Sequence, residues 1–394
     1  MGSFNSSLRS KALMFGLVLA WAFFDVAAQP LVQPRGTDTT FDLVTWNVHE
    51  FPGSGFRTID TLAVLIQDLD IDIVGMQEIA DTNAFYQLLE RLPGWDGLFA
   101  PYDYSGYPYL KTGVLWRTDR ATVDYVEQLF VGYQYQFPRP PIHVYAAVDF
   151  GQYQFDFHLI VLHLKAGDTD DDRLRRQAAV LMLKAYLDNN IPGAPDQDWI
   201  VIGDWNDELD DEQSQNVFWP LLTDSLSYRF LTLPLAGNPY WASYPSFNSL
   251  IDHLMISAFA NDEYGSGNTI TLRLDDEYPN YRNRISDHRP VMSQFLGHYT
   301  GVDESLPDDV DLFAAYPNPF NCATSLSFCI EQPSNVSLEI FDILGRKVAT
   351  LQRGWLEKGH YRMDFSGDGA SSGIYFARLQ YSSNSQTIKL TLLK

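Results

Sequence analysis

Trp199-Ile200-Val201-Ile202-Gly203-Asp204-Trp205-Asn206-Asp207 is an apolar run that ends in glycine and then presents two polar side chains two residues apart. A continuous apolar run is what a strand buried on both faces requires, and such a strand delivers its last residues to the rim of a sheet. A period of 2 points Asp204 and Asn206 the same way, where a carboxylate and an amide can hold a phosphate oxygen and an attacking water. Asp and Asn are also ordinary turn residues. The stretch therefore takes its meaning from its partners.

Upstream, Phe41 to Glu50 is apolar and β-branched and reads as a strand that ends at Asn47. Ile59, Leu62, Ala63 and Ile66 then recur at helical spacing, and Ile71 to Glu78 is a second strand finishing on a carboxylate. Residues 81–92 carry Phe85, Leu88, Leu89 and Leu92 on one side of a second helix, and the Tyr, Gly and Pro-rich segment from Leu98 to Leu110 reads as a long surface loop. Strands are expected at 113–117, 121–130, 142–150 and 155–164, the last bearing His158 and His163, before an Asp- and Arg-rich helix over 170–187. Downstream, Leu250 to Ile256 and a segment entered through Ser286-Asp287-His288-Arg289-Pro290 complete the set. Strands that come both in runs and around helices fit an α/β fold of two packed β-sheets flanked by helices, a four-layer sandwich.

The 394 residues exceed one usual domain, and 45% hydrophobic content supports a sizeable core. Arg9 and Lys11 precede an apolar run from Ala12 to Phe24 that Asp25 stops, followed by small residues to Ala28; residues 1–28 read as a secretory signal peptide. No later stretch is long enough to span a bilayer, so an exported chain without a transmembrane segment is expected. The net charge is −23, nearly all of it between residues 38 and 298. Such a surface repels nucleic acid and anionic membranes at long range, so a phosphodiester substrate would need metal ions and local basic groups. Residues 299–311 form an acidic linker, and 312–394 alternate short strands with turns, as in a small all-β sandwich. The two cysteines, Cys322 and Cys329, lie seven residues apart, about 23 Å if extended; two separate thiols are expected unless a turn joins them.

Asn47, Glu78, His163, Asp204, Asn206, Asp252, Asp287 and His288 each fall at or beside a strand end. Hard oxygen donors of this kind suit Mg²⁺ or Mn²⁺, with Ca²⁺ a candidate structural or second ion, rather than zinc. The two histidines and the remaining carboxylates are what acid-base chemistry on a phosphodiester needs.

The segments TWNV at 45–48, MQEI at 76–79, LHLK at 162–165, GDWND at 203–207, IDHLMIS at 251–257 and SDHRPV at 286–291 occur in one order. In these the chain resembles the endonuclease/exonuclease/phosphatase (DNase I-like) family over about residues 40–297, with 38–298 as the catalytic domain. The resemblance implies that Asn47, Glu78 and Asp287 bind the metal and that His288, oriented by Asp252, activates water. It further implies that His163 stabilises or protonates the leaving side, that Asp204 and Asn206 position phosphate and nucleophile, and that Arg139 in FPRPPI contacts the phosphate. Two departures concern substrate choice: no carboxylate is identified to steady His163, and Phe247 stands where a polar residue is expected, five positions before Asp252. YPNPFN at 316–321, IFDILGRKV at 340–348, SGIYFARL at 372–379 and Lys389 resemble the type A sorting domain of the type IX secretion system. That resemblance implies an immunoglobulin-like sandwich that uses this secretion machinery as its partner and leaves the protein secreted or attached at the outer-membrane surface, with the sandwich removed or retained.

Other histidines read as structural. Alternation turns His158 away from His163, and likewise turns His49 and His253 away from the site, while His143 and His298 have no evident partner. Arg173, Arg175 and Arg176 read as a solvated helix face. A secreted metal-dependent phosphodiesterase acting on DNA or RNA is the leading expectation. A phospholipid or sphingolipid phosphodiesterase would use an exposed apolar hairpin, for which 130–141 is the candidate; a non-catalytic surface binding protein is the reading from another class.

Overall fold

In the computed structural model, the described residues are 29–102, 109–151, 153–265 and 267–297, followed by 312–316, 320–321, 323–330, 333–357, 359–367, 369–381 and 384–392. The expected signal peptide, acidic linker and turn at 317–319, together with Cys322, the Cys329 side chain and His298, lie outside them.

The first sheet is built on β1 (Phe41–Phe51), β2 (Ile73–Ile79), β3 (Trp95–Phe99) and β4 (Lys111–Arg117). The second uses β5 (Ala121–Gln128), β6 (Ile142–Phe150), β7 (Tyr153–His163), β8 (Trp199–Asp204), β9 (Tyr228–Phe230) and β10 (Asp252–Ser257). The chain then returns to the first sheet with β11 (Asn268–Thr271) and β12 (Val291–Phe295). Strand orders are β11-β12-β1-β2-β4-β3 and β5-β6-β7-β8-β10-β9. Strands β3, β9 and β11 lie in stretches where the sequence pattern is too short to announce them, and β3 takes the start of the expected surface loop.

Each sheet has one parallel pair at its centre, joined by a helix. Helix α1 (Phe56–Leu69) connects β1 to β2, and α2 (Thr82–Leu89) follows β2, capped by the Asp81 carboxylate at the Asn83 and Ala84 N–H groups. Helix α3 (Asp170–Asn190) connects β7 to β8, starting at the Thr169 hydroxyl with Asp170, Asp171 and Asp172 in its first turn, where carboxylates favour the helix dipole. The outer helices cover two separate apolar layers, one under α1 and α2 and one under α3. Between the sheets lies a third, with Phe41 among Phe150, Phe155, Phe157 and Phe295 at 5.2 to 6.2 Å between ring centroids. The four layers follow from strands that are apolar on both faces.

Gly75 is required by this packing, because a Cβ there would stand 2.5 Å from Ile202 of the opposite sheet. Beyond residue 311, strands pair as a three-stranded sheet of Leu312–Tyr316, Ala323–Ile330 and Gly359–Ser366 and a four-stranded sheet of Lys347–Leu356, Ser334–Asp342, Gly373–Tyr381 and Asn384–Leu392. They enclose their own core of Leu326, Phe328, Leu338, Ile340, Leu379 and Leu390. This small all-β arrangement is immunoglobulin-like, as the sequence led one to expect.

His143 is not partnerless. Its Nε2 lies 2.9 Å from His158 Nδ1, and its Nδ1 faces the Tyr186 hydroxyl at 3.4 Å and Glu127 at 3.7 Å. Burial, reinforced by His158, lowers the His143 pKa to about 3, while an unfolded histidine titrates near 6.5. Between those values the unfolded chain binds the proton and the folded chain does not, so stability falls as pH drops below about 6.5. From pH 7.5 to 5 this one group should cost about 2 kcal/mol. Urea unfolding at both pH values should show a smaller drop for His143→Gln than for the parent; an equal drop would place the acid sensitivity elsewhere.

Candidate active site

Six strand ends meet at one rim because of strand direction. The parallel pairs β1–β2 and β7–β8 bring their carboxyl ends there, with Asn47, Glu78, His163 and Asp204. The antiparallel strands β10 and β12 bring their starts, so Asp252 pairs with Asp204 across β10–β8 and residues 286–290 pass the end of β1. Gly203 makes the last step possible: a Cβ there would lie 2.0 Å from the Leu162 carbonyl oxygen.

Asp204 is the hub. Its Oδ2 accepts from Asn47 Nδ2 at 2.9 Å and stands 3.3 Å from His163 Nε2 and 3.9 Å from His288 Nε2. Asn47 Nδ2 also donates to Glu78 Oε1 at 3.1 Å, and Asn47 Oδ1 accepts the His49 N–H at 3.0 Å. Asp252 Oδ2 receives His288 Nδ1 at 2.8 Å, which leaves Nε2 as the imidazole atom facing Asp204. The loop carrying Asp287 and His288 is fixed to β1: Ser286 Oγ donates to the Asn47 carbonyl at 2.7 Å and accepts the His288 N–H at 2.9 Å. Beneath it, Trp46 Nε1 donates to the Tyr281 hydroxyl, which donates to the His288 carbonyl at 2.6 Å. Ser286 opens the SDHRPV segment but has no role assigned from the sequence, and nothing there marks Tyr281.

Burial and the neighbouring Asp252 carboxylate raise the Asp204 pKa to about 7. For His288, burial opposes the charge, but Asp252 and Asp204 outweigh it and raise the pKa to about 10. His163 is held well below the usual histidine value by burial, with Arg139 and His288 adding to the effect. Its Nδ1 is buried and has no hydrogen-bond partner among the described residues, while its Nε2 faces the carboxylates of Asp204 at 3.3 Å and Glu78 at 3.9 Å. Arg139 donates from Nη1 to the Leu164 carbonyl at 2.9 Å, and its buried charge is felt by Asp204 and Glu78.

Several expectations from alternation fail here, for one reason. Backbone at His49, Glu50, Glu78 and Asn206 has left-handed φ of 41°, 46°, 65° and 56°, where a period of 2 no longer applies. His49 consequently faces the site, with Nδ1 3.3 Å from Asp287 Oδ1 and 3.8 Å from Glu78 Oε2. Asn206 does not run parallel to Asp204; its N–H donates to Asp204 Oδ1, and its Nδ2 reaches the Leu164 carbonyl at 3.2 Å, the same acceptor that Arg139 uses. Arg176 is no part of a solvated face. It is 4% exposed, pairs with Asp207 at 2.8 Å, and donates to the carbonyls of Lys165 and Gly167, bracing the segments that follow His163 and Asn206. His253 does point away, between Thr232 and the Asp207 carbonyl. The 130–141 segment closes the antiparallel β5–β6 pair: Phe130 and Phe137 stack inward at 4.2 Å, Val131 and Tyr133 are exposed, and Tyr135, also exposed, bonds to Asp171 beneath Arg175.

The donor set fits a hard divalent cation. Asp287 Oδ1 is buried without a hydrogen-bond partner among the described residues, and together with Glu78 it surrounds the His49 imidazole with carboxylate oxygens. Asp204, Asp252 and His288 also lie within 4.8 Å of one another through one ligand atom each.

A rim of this composition, on two sheets covered by helices, defines a phosphoester-hydrolase type of site. The chain belongs to the Endonuclease/Exonuclease/phosphatase family, whose model matches residues 44–288. The secretion system C-terminal sorting domain matches 314–393, which indicates a secreted or cell-surface protein. No match emerges among curated protein sequences. Similar solved structures include TDP2 from C. elegans, at 13% identity and TM-score 0.47 over 65% of this chain and 75% of that one. The human Nocturnin catalytic domain matches at 19% identity and TM-score 0.44, covering 65% and 93%. A Bacteroides thetaiotaomicron mannosyl-6-phosphatase matches at 18% and 0.43, covering 64% and 98%.

Proposed function

We propose that this protein is an exported, divalent-metal-dependent phosphodiesterase whose substrate is DNA or RNA. The observation that carries the reading is the buried Asp252–His288–Asp204 array facing Asn47 and His163 across the two sheets. Glu78 and Asp287 would hold Mg²⁺ or Mn²⁺, with Asn47 spacing Glu78 from Asp204 and offering its amide oxygen as a further donor. When bound, the ion supplies Lewis acidity and a positive charge that offsets the acids around His288, favouring the neutral imidazole that proton acceptance needs.

Asp252 holds His288 in one tautomer, so Nε2 takes the proton from the attacking water. Asp204 and Asn206 align that water and a phosphate oxygen. Arg139 offers fixed positive charge to the phosphate, and His163, on the other side of Asp204, serves the leaving oxygen. A lipid substrate is the second reading: the 130–141 segment keeps Val131, Tyr133 and Tyr135 exposed, although its two phenylalanines are turned inward.

Incubation with plasmid, single-stranded RNA and sphingomyelin, each with Mg²⁺ and with chelator, tests the reading. Nicked plasmid or degraded RNA in Mg²⁺ only is expected; turnover in excess chelator, or of sphingomyelin alone, would overturn it. His288→Ala should lower the single-turnover rate about 10²-fold or more while Mg²⁺ affinity changes little, and Asp252→Asn should also be slow. A near-normal His288→Ala rate would move the base role to Asp204.

The division proposed is a catalytic domain at 38–298, an acidic linker at 299–311 and a sorting domain at 312–394 that engages type IX secretion machinery. None of the proposed catalytic residues lies beyond 298. Deleting 312–394 should abolish delivery to the cell surface or medium and leave hydrolysis intact; correct export of the truncated chain would refute the division.

A further inference from the structure

The loop between β9 and β10 places an aromatic ladder beside His288. Ser243 anchors it: its buried hydroxyl accepts the N–H groups of Ile251 and Asp252 at 3.1 Å each, and its carbonyl accepts the Arg289 N–H at 2.7 Å. Tyr244 pairs with Ser249 across the loop, the Phe247 N–H closes onto the Tyr244 carbonyl, and Asn248 takes the left-handed turn position with φ 60°. The side chains therefore project from a braced hairpin.

Tyr244 lies on the His288 ring at 4.8 Å between centroids and 33° between planes, and Phe247 lies on Tyr244 at 5.4 Å and 16°. Phe247 remains 72% exposed. An exposed phenyl ring forgoes the stabilisation that burial would provide, so its presentation at the mouth of the site calls for an occupant. Its surroundings restrict the choice. Ser246, Asn248 and Ser249 flank it, and Arg282 donates to Ser246 Oγ, placing a guanidinium beside the ring on a chain of net charge −23. An acyl chain would need continuous apolar surface, which this loop lacks. A planar, polar-edged ring next to an anionic phosphate matches both the aromatic face and the cation.

We infer that Phe247 is a stacking platform for a nucleobase of the substrate strand, with Arg282 contacting an adjoining phosphate. This rests on the nucleic-acid reading above and deepens it. A base on the outer face of Phe247 continues the ladder from His288, which sets it within about two nucleotides of the phosphate under attack. The departure at position 247 thereby becomes a determinant of substrate choice. Stacking contributes to binding in ground and transition states alike, so it should appear in KM rather than kcat.

The test uses the full chain with Mg²⁺ and oligonucleotides of one sequence, each carrying a single abasic residue at a successive position around the cleavage point. With the parent protein, one abasic position should raise KM about tenfold at nearly constant kcat. Phe247→Ala should raise KM on the intact strand by a similar factor and be indifferent to that abasic residue, and Phe247→Trp should restore both behaviours. Arg282→Gln should weaken binding at every sequence and reduce the salt dependence. A Phe247→Ala protein with parental KM, or with the abasic penalty unchanged, overturns the platform while leaving the nuclease reading in place. If the parent protein cleaves no oligonucleotide at all, both readings fall.

Discussion

A hydrogen bond of 2.9 Å from the Asn47 amide to Asp204 joins residues 157 positions apart and ties the rim of one sheet to the rim of the other. Both groups are buried, so leaving either unpaired would cost about 1–3 kcal/mol. The bond therefore reports on the register of the whole sandwich. It forms only if β1 and β8 end level with each other, which in turn needs Gly75 to let Ile202 close on the first sheet and Gly203 to let β8 pass the Leu162 carbonyl. Slippage of either strand by one residue would exchange the side chains that fill the apolar layers on its two faces as well as separate these two groups.

The same rim concentrates negative charge. Asp204, Asp252, Asp287 and Glu78 meet there in a chain already of net charge −23, and the nearby cations are few and committed. Arg139 is held to the Leu164 carbonyl, and Arg176 to Asp207 and two carbonyls. A cluster of acids of this density is tolerable because Asn47, the Glu50 N–H and the Asn206 N–H donate hydrogen bonds to it and the His288 imidazolium, paired with Asp252, offsets part of its charge. A divalent ion would complete that balance, which connects the electrostatics of the fold with the chemistry proposed for it.

Aromatic contacts carry function and structure at different places. Between the sheets, the phenylalanines around Phe41 fill space and are fully enclosed. At the mouth, Tyr244 covers one face of His288 and excludes water from it, while Phe247 extends the stack outward on a loop braced by Ser243. Position 247, where the sequence departs from the expected polar residue, thus carries a ring that is 72% exposed.

Residues 199–204, 41–48, 71–79 and 250–256 by themselves announced the buried strands, because short, largely apolar segments rich in β-branched and aromatic residues and bounded by turn residues fit a strand better than a helix of ten or more residues. The order of the six motifs determined which polar groups stand at the strand ends, and the helical spacing of Ile59, Leu62 and Ile66 determined what covers the first sheet. Only the tertiary structure decided where individual side chains point once a strand stops. Left-handed backbone at His49, Glu50, Glu78 and Asn206 ends the alternation on which sequence reasoning depends, turning His49 inward and Asn206 toward Leu164. Tertiary contacts likewise drew Arg176 out of solvent to Asp207 and paired His143 with His158, since the partners that give each of these polar groups its role are distant in the chain and adjacent only after folding.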